Sequence, residues 1–473
     1  MPVSLLQMKK IIFLTLVSFV MISCGGEIKN DVTGAWFGGE IVNPNTNHII
    51  LTKNEKVIDT IPLDGNNRFL YYIENVEKGI YNFIHNEYQM VYLEPGDSLM
   101  LRLNTIEFDE SLAFTGKGAE RNNFLINMFN YNESENQRMR PFYQLPVDEF
   151  LQKLDSMSKV RFENLNRFIK RFKPCKSFYE VAEANILYDK YTKMEFYPFV
   201  NSNYNETSDI SLPSNYYDFR KNVDYNNEAL QSYYTYYRFM LWHFDYLAYK
   251  QYKNEHPFER ASLAHITHKL KTIDSLINLE SLKNSLLRTS TRRYIISCKN
   301  PDHEKNALEL YLSLTTNKDH KEEMIKISEA SLKLMPGEKL PELTIYNFNG
   351  ERVSFEQIIN RPTVIYFWSI NSLNHLRNVH SKADELKAKY PEFDFIAINT
   401  NADKDTWKQI INRHGFDNSK EFRFQDPSKA MEHLIVNTVN KSMIINKDAK
   451  IIDNHTNMFS VRFEEQLLGI LNQ

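Results

Sequence analysis

The chain has 473 residues, room for about three domains at ~150 residues each, every one large enough to bury its own core. Hydrophobic residues make up 42% and charged residues 25%, with only 14 Gly and 16 Pro, which excludes a disordered or collagen-like chain. The 57 basic residues nearly balance the 60 acidic ones, so no nucleic-acid partner is expected, and three Cys are too few for a disulfide framework.

Lys9 and Lys10 precede an apolar run, Ile11 to Ile22, that is short for a ~30 Å hydrocarbon core and reads as a signal peptide within residues 1–23, where translation from Met8 would put the two lysines at the very N-terminus. The run ends in Met21-Ile22-Ser23-Cys24-Gly25-Gly26, which resembles a bacterial lipobox, departing from it at Met21 where Leu is commoner. The resemblance implies an acylated Cys24, followed by an anchor linker over residues 24–32. Each buried CH₂ of the acyl chains contributes ~0.8 kcal/mol, so the expected partner is a lipid membrane. The expected location is the bacterial cell envelope, lipid-anchored on the outer membrane and facing the periplasm.

Residues 33–119 alternate short β-rich runs with turns. Ile49 to Thr52, Val57 to Ile61, Phe69 to Ile73, Gln89 to Leu93 and Leu99 to Leu103 are the strands, and Asp64-Gly65-Asn66-Asn67 and Glu94-Pro95-Gly96-Asp97 supply turn residues. A β-rich sandwich or barrel follows. The segment resembles the small β-rich domain found ahead of membrane-anchored bacterial thioredoxins.

Over residues 120–335 helical periodicity takes over, as in Phe150, Leu154, Met157, Val160, Phe162, Leu165, Phe168 and Ile169. An α-helical domain is predicted. Its tyrosine-rich stretch, with Tyr233, Tyr234, Tyr236, Tyr237, Tyr246, Tyr249 and Trp242, fits a helix–helix seam whose hydroxyls reach water. Such rings also stack on sugars or grip peptides, which leaves a glycan- or peptide-binding alternative. His265 and His268 have a spacing that can share a metal, but no nearby carboxylate or Cys completes a set, so no metal and no cofactor is expected. Cys175 and Cys298 are read as buried thiols or as one structural disulfide, and the sequence leaves that choice open.

Residues 336–473 carry an extended entry, Gly337-Glu338-Lys339-Leu340-Pro341, then a hairpin at Asn349-Gly350. Arg361 to Trp368 gives a continuous apolar run of the sort a buried strand shows. A helix from Leu373 to Tyr390, a strand from Phe393 to Ile398, a helix from Asp405 to His414, a hairpin from Lys441 to Asp453 and a closing helix from Phe463 to Leu471 complete a mixed sheet flanked by helices.

This order, the Gly-x-x-x-Pro entry and the Tyr366-Phe367-Trp368 strand end are similar to the TlpA-like, membrane-anchored thioredoxins. The resemblance implies a multidomain chain: a β-rich N-terminal sandwich, an α-helical middle domain and an α/β thioredoxin-like C-terminal domain. In that family the strand runs into Trp-Cys-x-x-Cys. Here it runs into Asn371-Ser372-Leu373-Asn374-His375, so Ser372 and His375 stand at the redox positions. The family chemistry needs a thiolate activated at a helix N-terminus and a second thiol to resolve the mixed disulfide. A hydroxyl and an imidazole supply neither. A Ser-x-x-His pair invites a hydrolase reading, but it lacks an orienting acid and an oxyanion site, and capping of the helix by Ser372 is the plainer expectation. Aligning the next strand on Met443-Ile444-Ile445-Asn446 puts Asn440 at the position of the family's peptide-presenting cis-proline, where a trans bond is expected.

No catalytic residue is therefore assigned. The expected function is binding or scaffolding of an envelope protein or peptide by a redox-inactive thioredoxin-like domain. The alternative is a thiol-disulfide oxidoreductase of the TlpA-like family.

Overall fold

A computed structural model describes residues 33–85, 87–105, 111–205, 210–255, 257–370, 372–436 and 440–472. Cys24 and the leader lie outside the described residues. The β-rich runs pair into two four-stranded sheets built from β1 (Ala35–Val42), β2 (His48–Lys53), β3 (Lys56–Pro62), β4 (Arg68–Ile73), β5 (Gly79–His85), β6 (Glu87–Leu93), β7 (Ser98–Asn104) and β8 (Ala113–Lys117). The sheet orders are β4-β1-β7-β8 and β3-β2-β5-β6, and Phe37, Ile41, Leu51, Phe83 and Leu101 fill the sandwich between them. Three of these strands, β1, β5 and β8, escape the sequence reading. Gly38-Gly39 looks like a break in β1. It is instead a close approach, since a Cβ on Gly39 would lie 2.3 Å from the Leu101 carbonyl oxygen of the parallel neighbour β7.

Gly118, at φ 97, turns the chain from β8 into α1 (Ala119–Arg138). The helical domain continues with α2 (Val147–Phe172), α3 (Lys176–Asn205), α4 (Tyr234–Tyr252), α5 (Leu263–Leu276), α6 (Glu280–Ser297), α7 (Pro301–Leu314) and α8 (Lys318–Leu332). On α2 the predicted stripe is off by one position. Val160 faces water, and Arg161 takes the buried place between Leu154 and Leu165.

The C-terminal domain contains β9 (Ile345–Tyr346), β10 (Arg352–Val353), α9 (Phe355–Ile358), β11 (Thr363–Trp368), α10 (Leu373–Lys389), β12 (Asp394–Asn399), α11 (Lys404–His414), β13 (Glu421–Phe424), α12 (Pro427–His433), β14 (Ser442–Ile445), β15 (Ile451–Thr456) and α13 (Phe463–Leu471). The sheet order is β10-β9-β13-β12-β11-β14-β15, with β11, β12 and β13 parallel and β14 antiparallel to β11. Every residue of β11 is buried because each face of the sheet is covered. Val364, Tyr366 and Trp368 pack with Leu376 of α10 and Phe463 of α13, while Ile365 and Phe367 pack on the other side with Leu434 and Leu334. Burial of one such side chain stabilises by roughly 1.5–3 kcal/mol, so this strand anchors both layers. The domain has the thioredoxin-like mixed sheet that the resemblance implies, with β13 and α12 as elements the sequence reading lacks.

The C-terminal domain docks on the helical domain. Leu334, just past α8, belongs to its core, and its carbonyl accepts from Asn454 Nδ2 at 2.6 Å. Lys299 pairs with Asp453 at 2.6 Å.

Candidate functional site

The end of β11 is held in place by its own sheet neighbour. The Trp368 carbonyl accepts from the backbone N–H of Thr400 at 3.0 Å and from its hydroxyl at 3.2 Å. The chain then turns into α10, and Ser372 occupies the N-cap position, where its carbonyl accepts from Leu376 N–H at 2.9 Å. Its hydroxyl makes no capping hydrogen bond, which corrects the expectation drawn from sequence. The reason is local: ψ at Ser372 is 81°, whereas the N-cap Asp403 of α11, at 166°, directs its carboxylate onto the first-turn amides.

His375, one turn further on, reaches back so that Nε2 donates to the Phe367 carbonyl at 3.2 Å, and its ring lies 6.3 Å from that of Phe459. An imidazole whose Nε2 proton is committed to a backbone carbonyl is a strut between α10 and β11. Asn440 is exposed at the edge of a polar pocket with Lys441, His455 and Arg462. The peptide bond before Asn440 involves Val439, which lies outside the described residues.

Beneath this surface sits a buried group that sequence reasoning missed. Glu421 on β13 accepts from Trp368 Nε1 at 3.0 Å through one oxygen and faces His380 Nε2 at 2.8 Å through the other, while His380 Nδ1 lies 2.7 Å from the Leu376 carbonyl. The His380 ring stacks on Phe416 with centroids 3.7 Å apart. This network ties β11, α10 and β13 together. No periodicity in the sequence marks it, because β13 is short and Glu421 reads as a surface charge. Lys441 was equally hidden. It is 3% exposed and donates to the Leu434 carbonyl at 2.6 Å, and burial pushes its amine down to about 7 against the opposing pull of Asp453.

The two described cysteines are both free, which decides the question the sequence left open. Cys175 precedes α3, where its thiol donates to Glu94 Oε1 at 2.7 Å, and Cys298 is buried at the end of α6, 3.3 Å from the Asn300 carbonyl. Both belong to the helical domain, so the structure brings neither into the group formed by Ser372 and His375.

The aromatic stretch is a seam within the core. Tyr233, Tyr236 and Tyr252 are buried, and Trp242, Tyr246 and Tyr249 are half-buried. The hydroxyls mostly meet protein groups where water had been expected. Tyr233 and Tyr234 accept from Asn185 at 2.8 and 2.9 Å, and Tyr237 donates to the Ser285 carbonyl at 2.9 Å. His265 and His268 point to different partners. His265 lies between Asp245 and Tyr252, at 3.0 and 2.9 Å, and His268 meets Gln251 at 2.9 Å. The carboxylate absent from the local sequence, Asp245, is thus supplied by α4, but it is already shared with Lys269 and Arg260.

Residues 360–451 match a protein family described as Thioredoxin-like. No curated protein matches the chain. Among solved structures, the chain is similar to the thioredoxin domain of a thiol-disulfide oxidoreductase from Bacteroides vulgatus, at 13% identity over 29% of this chain and 97% of that one, with a TM-score of 0.25. A thiol-disulfide oxidoreductase from Bacteroides fragilis shares 16% identity over 28% of this chain and 99% of its own, with a TM-score of 0.25. A thiol:disulfide interchange protein from Bacteroides sp. shares 17% identity over 26% and 81%, with a TM-score of 0.22. Likeness at this level says nothing of activity.

Proposed function

We propose that this chain is an envelope lipoprotein, anchored through acylated Cys24 on the outer membrane and facing the periplasm, whose thioredoxin-like domain binds a protein or peptide without exchanging disulfides. The observation that carries the reading is the start of α10: at the two positions where thiol chemistry would sit, a serine hydroxyl and an imidazole bonded to the Phe367 carbonyl stand instead. Neither group forms or resolves a disulfide. The scaffold around them is fully packed, so a recognition surface persists where the reaction has none.

The second reading, a TlpA-like thiol-disulfide oxidoreductase, is favoured by the Thioredoxin-like family match over residues 360–451. It needs thiols from elsewhere. Cys175 donates to Glu94 of the β-rich domain, and Cys298 lies against the Asn300 carbonyl in the helical domain.

One capture experiment separates the two. The full chain, solubilised in mild detergent, is used as bait in envelope extract, beside an Asn440→Trp variant that fills the rim of the site. The binding reading expects proteins retained by the wild type, lost by the variant and eluted by salt without reductant. Partners that elute only with a dithiol would overturn it in favour of exchange. Lipidation is checked separately: fatty-acid labelling marks the wild type and misses Cys24→Ser, and equal labelling of both sinks the anchor.

A further inference from the structure

Beside the Asn440 rim, two pockets share one wall. A groove of about 730 Å³ runs between the helical and C-terminal domains, lined by Gln137, Arg140, Tyr143 and Phe196 on one side and by Val461 and Arg462 on the other. Arg462 also closes a second pocket of about 430 Å³, which contains Asn440, His455, Asn457 and Gln466. Among the described residues no carboxylate lines either pocket, in a chain whose acidic residues outnumber its basic ones. The loop that carries Arg462 also carries Phe459, whose ring neighbours His375, and Val461, which is 71% exposed.

From this juxtaposition we propose that the cleft holds an extended acidic segment of a partner polypeptide, with its carboxylates on Arg140 and Arg462. The inference rests on the binding reading above and specifies its ligand. Three features select that occupant. Guanidinium groups from two domains offer paired donors matched to carboxylates. The amide side chains of Gln137, Asn440, Asn457 and Gln466 can both donate to and accept from a peptide main chain. Phe196, Tyr143 and Val461 provide an apolar wall between the charges for one bulky side chain of the segment. His455 adds little charge, because burial and the neighbouring Lys441 hold its imidazole below the usual range. The ammonium of Lys441 is turned onto the Leu434 carbonyl. The two arginines therefore set the sign of the cleft.

The test uses the full chain in non-ionic detergent and three fluorescein-labelled octapeptides that alternate Phe with Glu, Gln or Lys, followed by fluorescence anisotropy. The Glu peptide should bind about tenfold tighter than the Gln peptide, with the Lys peptide weakest, and that preference should shrink at high salt. Arg140→Glu with Arg462→Glu should reverse the order of the Glu and Lys peptides, while Arg462→Lys keeps it. Near-UV circular dichroism checks that each variant is folded. Equal binding of the Glu and Gln peptides overturns the assignment, as does a charge preference that survives the double reversal. Failure of all three peptides to bind overturns it as well, and leaves the binding reading to the envelope capture, which does not depend on acidic ligands.

Discussion

In the C-terminal domain, β11 and β12 bury all six residues of each strand, nine of the twelve apolar and the polar ones at the strand ends. In the helical domain the interior instead holds charge. Asp189 accepts from Arg161 at 2.6 Å, from Arg238 at 2.7 Å and from Lys193, and Glu195 meets His243 and Arg220, each at 2.7 Å. Burial alone would push Asp189 up, but Lys193, Arg161 and Arg238 hold it below the usual carboxylate range. The difference teaches what each kind of interior depends on. An apolar layer tolerates loss of one contact by relaxing, whereas a buried charge stripped of its partner has no water to turn to.

The largest expected effect follows from that contrast. Asp189→Ala should destabilise by about 3–5 kcal/mol in urea unfolding, because three cations lose one shared acceptor. Val160→Ala, on the exposed face of α2, should stay within about 0.5 kcal/mol. Similar losses at both positions would break the comparison. Glu421→Gln should cost less, about 1–3 kcal/mol, since the amide oxygen can still accept from Trp368 while the His380 contact is weakened. A tryptophan fluorescence change accompanying that loss would tie it to Trp368.

Lys441 sharpens the comparison within the C-terminal domain, where a buried amine donates to a backbone carbonyl and has no carboxylate within ion-pair distance among the described residues. Its folded value of about 7 lies below the ordinary 10.5, so between those values the unfolded chain binds a proton that the folded chain does not. Stability contributed by this site therefore rises with pH from about 7 to 10.5. Urea midpoints of the wild type should gain on those of Lys441→Met across that window. Parallel curves would show that the amine titrates normally.

Restoring thiols is expected to change redox behaviour more than stability. Ser372→Cys with His375→Cys places two sulfurs about one helical turn apart at the start of α10. The pair should form a reversible disulfide on oxidation, seen by thiol titration and mass spectrometry, with stability altered by at most about 2 kcal/mol because the closed loop is short. Efficient insulin reduction should require Asn440→Pro in addition. A folded double variant that forms no such disulfide would show that the two positions are misaligned.

How much of this was legible in the sequence depends on the same physics. The run Arg361 to Trp368 declares a two-sided strand, which the fold begins two residues later at Thr363, and Phe463 to Leu471 matches the closing helix residue for residue. Ser372, His375 and Asn440 were singled out because they interrupt a recognisable order. Glu421 and His380 were not, because a charge that is paired in the fold looks the same in sequence as a charge in water, and Arg462 was not, because an arginine at a cleft looks like any other exposed arginine. β1 went unread for a different reason: Gly38 and Gly39, which permit close strand approach, look like glycines that end a strand. The capping role given to Ser372 rested on residue type alone, and the backbone angle that cancels it is set by the turn after β11.

The central claim is that a thioredoxin-like domain here has kept its sheet and lost its thiol chemistry. Insulin reduction by the full wild-type chain, with a dithiol regenerating system, tests it most directly. The predicted rate is that of the reaction without protein. A rate above that background, abolished by Cys175→Ser or Cys298→Ser, would contradict the claim and return the chain to the oxidoreductases.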